Sequence, residues 1–410
     1  MVPKKYGSKM HRRSNSHDYK APGNYLFTIK KKTAAPEFSR ICGNPYIELS
    51  NTGKIAEADN FYMDFPNVTA AVLALTPLSA KMVADKQSAW HVHCRAAVGM
   101  LTDLQAKQAS HAEAGAIGPY VDLTPAGRII DEAISKIESL HPGWFEIRKY
   151  VIMPDHLHIV LMVRCYLPKD VTDYIGLMKT IATSNFKKAC AELYRREHGG
   201  SLDGYEALGA DFSLFDAGIN DKIIYDARQF KSREVYVADN PRRLLIKRMI
   251  PDLFCKYQSI RVNDMIFESL GNILLLKDPE LMPVHMRRHW QAEERAAHAA
   301  ECLAHVADGG VLISPFFNPD EAAVMRKALE LGGRIIRLRM EGFGEREKPA
   351  GREFDYCAAG QLLLLAEADS PAKRRELKYA KARRLNMIAA QLAATPAESR
   401  RASILAATKK

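Results

Sequence analysis

The pattern of hydrophobic and polar positions divides the chain into two halves of different type. In the first half, short apolar or β-branched runs predict strands at 24–30, 45–49, 144–152 and 156–163. Apolar positions repeated every three or four residues predict helices at 127–140, 170–194 and 226–240. The last helix is expected to end at Pro241, because proline disfavours helical backbone in the residue before it.

Beyond about residue 265, buried apolar runs replace the alternating pattern. They predict strands at 311–316, 334–338 and 361–365. A helix at 319–331, capped by Asn318, connects the first two strands. A strand, a helix and a second strand in this order are typical of a parallel sheet, so the second half is predicted to be a Rossmann-like α/β domain.

Shifts in composition place the domain boundaries. They predict a disordered basic arm at 1–20, an α+β domain at 21–255 with a helical insertion at about 56–117, an α/β domain at 256–370 and a basic helical tail at 371–410. The arm has no apolar segment and is not expected to be a signal peptide. The basic residues at 371–384 either contact a phosphate backbone or form a solvated face.

Charge narrows the class of partner. Lys and Arg total 59 against 48 Asp and Glu, which gives a formal net charge of +11 over 410 residues. This excess favours a polyanionic partner, and nucleic acid is the first candidate. No apolar run approaches the length of roughly 18 residues that a transmembrane helix needs, so no membrane partner is expected.

The seven cysteines are scattered along the chain and none forms a C-x-x-C pair. This pattern indicates reduced thiols and a cytoplasmic protein, and it argues against a structural zinc knuckle.

His156 and His158 are the strongest candidates for chemistry. They lie two residues apart in the predicted strand 156–163, and residues i and i+2 of a strand project to the same face of a sheet. Two imidazoles that converge in this way can hold one metal ion.

Two other histidine pairs provide a comparison. His91 and His93 have the same spacing, but their segment is predicted to be helical, and residues i and i+2 of a helix point about 200° apart. His285 and His289 lack the glutamate of an H-E-x-x-H zinc motif and are interpreted as surface histidines.

Tyr236 is the candidate nucleophile. Phe230 and Val237 share an apolar stripe of the predicted helix, whereas the neighbours of Tyr236 at three and four positions are polar. A core tyrosine would usually share the apolar stripe, so this position favours a functional role, although exposed tyrosines also occur on polar faces. The competing residue, Tyr225, ends an apolar run and is predicted to be packed.

The residues around these candidates resemble a known family. The segment Met153-Pro-Asp-His-Leu-His resembles the φ-M-P-N-H-φ-H signature (φ is any apolar residue) of single-tyrosine HUH transposases, in particular the REP-associated tyrosine transposases. The segments Asn220-Asp-Lys-Ile-Ile and Tyr236-Val-Ala-Asp-Asn-Pro-Arg-Arg-Leu resemble the H-D-R-I-I and Y-I-x-x-N-P-x-x-A segments of that family. They also follow in the same order.

The resemblance covers residues 24–55 and 118–250. Asp155 stands where the family has asparagine, the linker between the motifs is long, and the insertion at 56–117 is not typical of the family. Outside it, residues 311–365 are faintly similar to the Rossmann-type fold of DNA-processing protein A.

The family resemblance implies a fold, an activity and a site. The implied fold is an HUH-type antiparallel sheet with helices, a ferredoxin-like or RRM-like palm. The implied activity is cleavage and rejoining of hairpin-forming single-stranded DNA through a 5′-phosphotyrosine, with release of a 3′-OH. His156, His158 and Asn240 correspond to the ligands of Mg²⁺ or Mn²⁺, and Tyr236 corresponds to the nucleophile. The family members are frequently homodimers.

Basic residues near the motifs are expected to contact DNA phosphates. They are Lys179, Arg233, Arg242, Arg243, Lys247 and Arg248.

Two other functions stay open. The chain is alternatively a catalytically idle, domesticated DNA-binding protein, although an idle site has no physical need for two histidines and a tyrosine. In the second alternative, the Rossmann-like domain binds a nucleotide. That domain has neither a G-x-G-x-x-G nor a G-x-x-x-x-G-K-[ST] motif, and Ser314-Pro315 and Gly309-Gly310 are either pocket or structural residues at its strand ends.

Overall fold

The structure, a computed structural model, describes residues 17–43, 45, 118–287, 289–345, 347–368, 378–400 and 408–409. Most of the basic arm, the strand predicted at 45–49, the insertion with His91 and His93, and residues 371–377 of the basic segment lie outside the described residues. The described residues form two compact units, one of residues 17–45 and 118–245 and one of residues 246–409. Helices and sheets together make the chain a mixed α+β protein.

The first unit is built on a four-stranded antiparallel sheet. In chain order its elements are β1 (Gly23–Lys30), β2 (Ser39–Cys42), β3 (Tyr120–Leu123), α1 (Pro125–Leu140), β4 (Phe145–Ile152), β5 (His156–Val163), α2 (Val171–Glu197), β6 (Asn220–Ile224) and α3 (Ala227–Met249). The strand order of the sheet is β4-β5-β1-β6, and β2 pairs with β3 in a separate antiparallel ladder. The strands predicted at 24–30, 144–152 and 156–163 and the helices predicted at 127–140 and 170–194 are confirmed within a few residues.

Strand alternation gives the two faces of this sheet different roles. On one face, Phe27 and Leu157 pack against Ile134 of α1 and Met178 of α2, and all four side chains are buried. The opposite face carries Leu26 and Val160 together with the polar residues at even positions of β5. Val237 of α3 and Ile41 of β2 cover this opposite face. The candidate histidines therefore lie on one face of a sheet whose other face packs on a buried apolar core.

Gly127 in the first turn of α1 allows a close approach to the chain before β2. A β-carbon at this position would lie 1.9 Å from the carbonyl oxygen of Phe38, which accepts hydrogen bonds from the amide and the hydroxyl of Thr124. We expect Gly127→Ala to destabilise the protein by about 3 kcal/mol, the upper end for overpacking. Thermal or urea unfolding of the full chain measures this loss.

A matched control exists in α2, because a β-carbon at Gly176 would meet no atom within 4 Å. We expect Gly176→Ala to stabilise the protein by about 0.5–1 kcal/mol, since alanine is the better helix former. Similar effects of the two substitutions would contradict the packing described for α1.

The second unit is built on a seven-stranded mixed sheet. Its strands are β7 (Lys256–Val262), β8 (Met265–Gly271), β9 (Leu281–Pro283), β10 (Val311–Ser314), β11 (Arg334–Arg339), β12 (Leu362–Glu367) and β13 (Thr408–Lys409). The order is β13-β7-β8-β12-β11-β10-β9, in which β9 to β12 are parallel and the other pairings are antiparallel. The strands predicted at 311–316, 334–338 and 361–365 are confirmed as β10, β11 and β12.

Helices cover both faces of this sheet. The helices α4 (Ala292–Ala307), α5 (Pro319–Glu330) and α6 (Arg352–Ala358) pack on one face, and α7 (Lys378–Ala394) packs on the other. The predicted cap of α5 is confirmed, because the side chains of Asn318 and Glu321 form a reciprocal capping box. Among the helices that the structure describes, none combines the length and the apolar character needed to cross a bilayer.

Candidate active site

The two candidate histidines lie on the α3 side of β5, in the centre of the antiparallel sheet. His158 is 5% exposed and His156 is half-buried. Their ring centroids are 4.7 Å apart, and the rings are nearly perpendicular. The two imidazoles therefore lie on the same face of the sheet, as their spacing predicts, and are in contact with each other.

The hydrogen bonds of the two rings leave the same type of nitrogen available on each. Nδ1 of His158 lies 2.9 Å from the hydroxyl of Thr28, and Nδ1 of His156 lies 2.7 Å from a carboxylate oxygen of Asp155. With the Nδ1 atoms engaged, Nε2 of each ring is the nitrogen that can bind a ligand. A carboxylate behind a histidine is also the usual support of a metal-binding imidazole.

Burial keeps His158 neutral. Desolvation by burial, with a smaller electrostatic contribution from the neighbouring His156, lowers the pKa of His158 to about 3. A neutral imidazole retains the lone pair that coordination requires. The hydrogen bond from His156 in turn lowers the pKa of Asp155, so that carboxylate is charged at neutral pH.

Tyr236 lies next to this pair. Its ring centroid is 5.4 Å from that of His158, and the side chain is half-buried beside the apolar cluster between α3 and the sheet. The guanidinium carbon of Arg243 lies 5.7 Å from the centroid of the tyrosine ring, a cation–π contact. The structure thus brings Tyr236 and the two histidines together.

The prediction that Tyr225 is packed was wrong. Its side chain is 77% exposed, because β6 ends at Ile224 and Tyr225 lies in the turn that leads into α3. Its backbone amide donates a hydrogen bond to the side chain of Gln229, while the ring extends into solvent. Tyr225 is therefore exposed, whereas Tyr236, which the sequence pattern placed on the polar face of its helix, is half-buried against an apolar cluster.

Contacts with β4 orient α3 on the sheet. The Nε atom of Arg148 lies 3.6 Å from a carboxylate oxygen of Glu234, and its guanidinium lies 6.0 Å from the ring centroid of Phe230. Val237, one position after Tyr236, is fully buried in the same interface. These contacts hold the turn of α3 that presents Tyr236.

The helix that carries Tyr236 does not end at Pro241, so the predicted boundary at 226–240 was wrong. α3 continues from Ala227 to Met249 with Pro241 inside it. An internal proline costs about 3 kcal/mol through a lost hydrogen bond and a clash with the carbonyl four residues earlier. Packing offsets part of this cost, because the half-buried Leu244 and Leu245 contact the cluster of Val237 and remove apolar surface from water.

Replacing Pro241 by alanine is expected to stabilise the protein by about 1–3 kcal/mol. Alanine restores the amide that can donate to the carbonyl of Val237 and removes the clash of the proline ring. Chemical denaturation of the full chain measures the change. An unchanged or lower stability would contradict a continuous α3.

Asn240 lies one helical turn after Tyr236, as the spacing of four predicts. It is 9% exposed, and its Nδ2 atom donates a hydrogen bond of 2.7 Å to the carbonyl of Tyr236. This bond leaves Oδ1 as the atom that can bind a ligand. The amide is thus held within its own helix.

Two of the predicted DNA-binding residues form a cluster after Tyr236. Asp239 is buried and accepts hydrogen bonds from Nε of both arginines, at 2.5 Å from Arg242 and 2.6 Å from Arg243. The three side chains together keep one net positive charge. Arg233, half-buried, lies one turn before Tyr236 on the same helix.

The other predicted DNA-binding residues do not join this cluster. Lys179 belongs to α2, on the opposite face of the sheet, and its ammonium donates hydrogen bonds to the carbonyls of Asp216 and Ala217. Lys247 and Arg248 lie in the last turn of α3, and the residues of this turn, from Ile246 onward, belong to the second unit. There Lys247 lies 5.4 Å from the ring centroid of Phe354, and Arg248 is exposed.

The pairing register adds polar neighbours that sequence reasoning did not identify. Thr28 of β1 is directly opposite His158 and also opposite Asn220 of β6, so all three side chains share one face. Lys30 is opposite His156 in the next row. The signal for Asn220 was the similarity of its segment to a family motif, but the register that places it in one row with Thr28 and His158, on the far side of β1, cannot be read from spacing.

In the described part of the chain, no group of three or more His, Cys, Asp and Glu side chains is arranged to hold a metal ion. An ion held by His156 and His158 would take a further protein ligand of another type, and the family resemblance implies the amide of Asn240. His285 and His289 are exposed, as predicted for surface histidines.

The pairs Gly309-Gly310 and Ser314-Pro315, interpreted from the sequence as either pocket or structural residues, make structural contacts. Gly309, with φ of 89°, and Gly310 end α4 before the first residue of β10, at the amino end of that strand. The hydroxyl of Ser314 accepts a hydrogen bond from the amide of Phe316, and Ser314 is fully buried.

Comparison with known proteins gives no relative on which to base an identity. No protein-family model matches the chain, and neither a curated protein nor a solved structure matches it.

Proposed function

We propose that this protein is a metal-dependent, single-tyrosine HUH endonuclease and transposase that cleaves and rejoins single-stranded DNA. The observation that carries the proposal is the juxtaposition of His156, His158 and Tyr236: two imidazoles on one face of a central strand, with a tyrosine ring 5.4 Å from the buried one. The sequence motifs resemble the family at these positions.

The topology of the first unit supports the proposal. Its sheet strands and the two helices on one face follow the order β-α-β-β-α-β, and the strands are arranged as β4-β5-β1-β6. This is the ferredoxin-like arrangement that the HUH palm shares. The second unit, with parallel strands and helices on both faces, is proposed as a Rossmann-like α/β domain.

The donor set suits a divalent ion. His158 is neutral, and both rings have Nδ1 engaged by a hydroxyl or a carboxylate, so their Nε2 atoms are presented as ligands. His156, His158 and the amide oxygen of Asn240 would hold the ion. When bound, Mg²⁺ or Mn²⁺ would supply the charge that polarises the phosphoryl oxygens and orients the scissile bond. Asp155, which stands where the family has asparagine, would keep His156 oriented.

The residues of the chain would divide the remaining work. The phenolic oxygen of Tyr236 attacks the phosphorus and forms a 5′-phosphotyrosine, while the bond to the 3′ oxygen breaks. The tyrosine loses one proton and the departing 3′ oxygen gains one, so no water is consumed. The energy of the phosphodiester stays in the new bond, and rejoining needs no ATP. Packing of α3 against β4 through Arg148 holds the nucleophile in position.

Basic side chains near the site would bind the DNA backbone. Arg242 and Arg243, both held by Asp239, place a net positive charge about two turns beyond Tyr236, and Arg233 lies one turn before it. Lys30 lies on the exposed side of the histidine row. A single strand that passes these groups would bring a phosphate to Tyr236. Hairpin-forming DNA and a homodimer are proposed as partners on the resemblance alone.

A covalent-adduct assay tests the proposal. The full chain is incubated with labelled single-stranded hairpin oligonucleotides from the flanks of its own gene, with Mn²⁺, Mg²⁺ or EDTA, and run on a denaturing gel. A slow band that needs the ion is expected. If the protein binds these oligonucleotides but forms no band with either ion, the idle DNA-binding protein replaces the proposal.

A further inference from the structure

The second unit contains a cavity that the proposed nuclease does not use. It has a volume of about 510 Å³ and lies where β11 and β12 end. Its charged lining consists of three carboxylates and three cations, Glu268, Glu341, Glu367, Arg339, Lys381 and Arg384. Apolar side chains, among them Phe343 and Leu385, complete the wall.

The topology of the sheet explains why a cavity forms there. β11 and β12 are neighbouring parallel strands, so their carboxyl ends meet at one edge. β11 is followed by α6, which packs on one face through Tyr356 and Cys357, and β12 is followed by α7, which packs on the opposite face through Leu385 and Ile388. Because the helices that follow the two strands cover opposite faces, a crevice opens between the strand ends. Ligands of open α/β sheets bind in crevices of this type.

The ion pairs of the lining show which groups face a ligand with their charge uncompensated. Arg339 forms an ion pair of 2.6 Å with Glu347, and Arg384 forms an ion pair with Glu367. Within the described residues, Glu268, Glu341 and Lys381 form no such pair. Glu268 is half-buried on β8 beside β12, and Lys381 lies near the start of α7. A ligand would therefore meet the carboxylates of Glu268 and Glu341 and the ammonium of Lys381.

An aromatic group supplies a third contact. The guanidinium of Arg339 lies 4.6 Å from the ring centroid of Phe343, which fixes that ring at the cavity between Gly342 and Gly344. The opposite face and the edges of such a ring are suited to a flat heterocycle.

We propose that this cavity binds a nucleoside monophosphate. Glu268 would accept hydrogen bonds from the ribose hydroxyls, Lys381 would bind the phosphate, and Phe343 would contact the base. The volume falls in the range of about 300–1,000 Å³ that small organic ligands occupy.

Calorimetric titration of the full chain with AMP, GMP, CMP and UMP, in EDTA, tests this proposal. At least one nucleotide is expected to bind saturably, and its nucleoside about tenfold more weakly because the phosphate contact is lost. Lys381→Ala and Glu268→Gln are each expected to weaken binding about tenfold or more. Thermal melting of each variant checks that it is folded.

Lys327→Ala is the matched control, since Lys327 is an exposed lysine of the same unit and lines a different cleft. It is expected to bind like the wild type, and so is Tyr236→Phe, because the cavity does not depend on the proposed nuclease. The proposal is overturned if none of the four nucleotides binds at concentrations up to about 1 mM. It is also overturned if Lys381→Ala and Glu268→Gln both bind the nucleotide with the affinity of the wild type.

Discussion

A Tyr236→Phe protein is expected to form no covalent adduct with single-stranded DNA under any divalent ion. The substitution removes only the phenolic oxygen and keeps the ring, so the contact with His158 at 5.4 Å and the packing in the apolar cluster are retained. Loss of a nucleophile lowers the rate of a covalent step by about a thousandfold or more. The adduct band on a denaturing gel measures this loss, and DNA affinity should change little.

Tyr225→Phe is the matched control, because Tyr225 is 77% exposed and lies eleven positions earlier, between the end of β6 and the start of α3. It is expected to form as much adduct as the wild type. An adduct on the Tyr236→Phe protein would show that Tyr236 is not the nucleophile. Loss of the adduct in Tyr225→Phe would indicate that Tyr225, and not Tyr236, is the nucleophile.

His158→Gln is expected to abolish metal-dependent cleavage. Glutamine keeps a polar side chain of similar size opposite Thr28, but it lacks the neutral imidazole whose Nε2 atom is presented beside Tyr236. Loss of one of two imidazole ligands should weaken Mn²⁺ binding by about a hundredfold, and the adduct should disappear with it. Titration with Mn²⁺, followed by electron paramagnetic resonance, measures the affinity.

His289→Ala serves as the control for histidine content, since His289 is exposed in the second unit. Its Mn²⁺ affinity and adduct yield should match the wild type. Wild-type Mn²⁺ affinity in His158→Gln would contradict the metal site, whereas weakened DNA binding together with a lowered melting temperature would indicate that the substitution unfolds the first unit. His156→Gln, at the more exposed position, then gives the decisive comparison.

The histidine pair could be predicted because the rule that relates it to the fold is local. Alternation along β5 places His156 and His158 on one face whatever the rest of the chain does, and the turn between β4 and β5 is marked by Pro154. The cap of α5 was equally local, since Asn318 and Glu321 are three positions apart. Such features depend on few residues and on no long-range packing.

Features that depend on tertiary packing could not be predicted in the same way. Pro241 is a helix-ending signal by itself, but α3 continues through it, and the half-buried Leu244 and Leu245 of the continued helix pack on the cluster of Val237. Tyr225 follows two isoleucines, yet the end of β6 leaves its ring in solvent. Local pattern describes the preference of a segment, and the surrounding core decides whether that preference is followed.

Strand register was the main missing information at the candidate site. Asn220 lies 62 positions after His158 in the sequence, and only the pairing of β1 with both β5 and β6 brings them into one row with Thr28. The cavity of the second unit has the same origin, because the helices that follow β11 and β12 cover opposite faces of the sheet. Neither can be derived from residue spacing.

Mapping of the covalent bond tests the central claim most directly. The full chain is reacted with a hairpin oligonucleotide in Mn²⁺, digested with nuclease and trypsin, and analysed by tandem mass spectrometry. We expect a nucleotide linked through its 5′-phosphate to the peptide that contains Tyr236, and a released fragment that a polymerase can extend from its 3′-OH. A nucleotide on any other residue, or a released fragment that ends in a 3′-phosphate, would contradict the account.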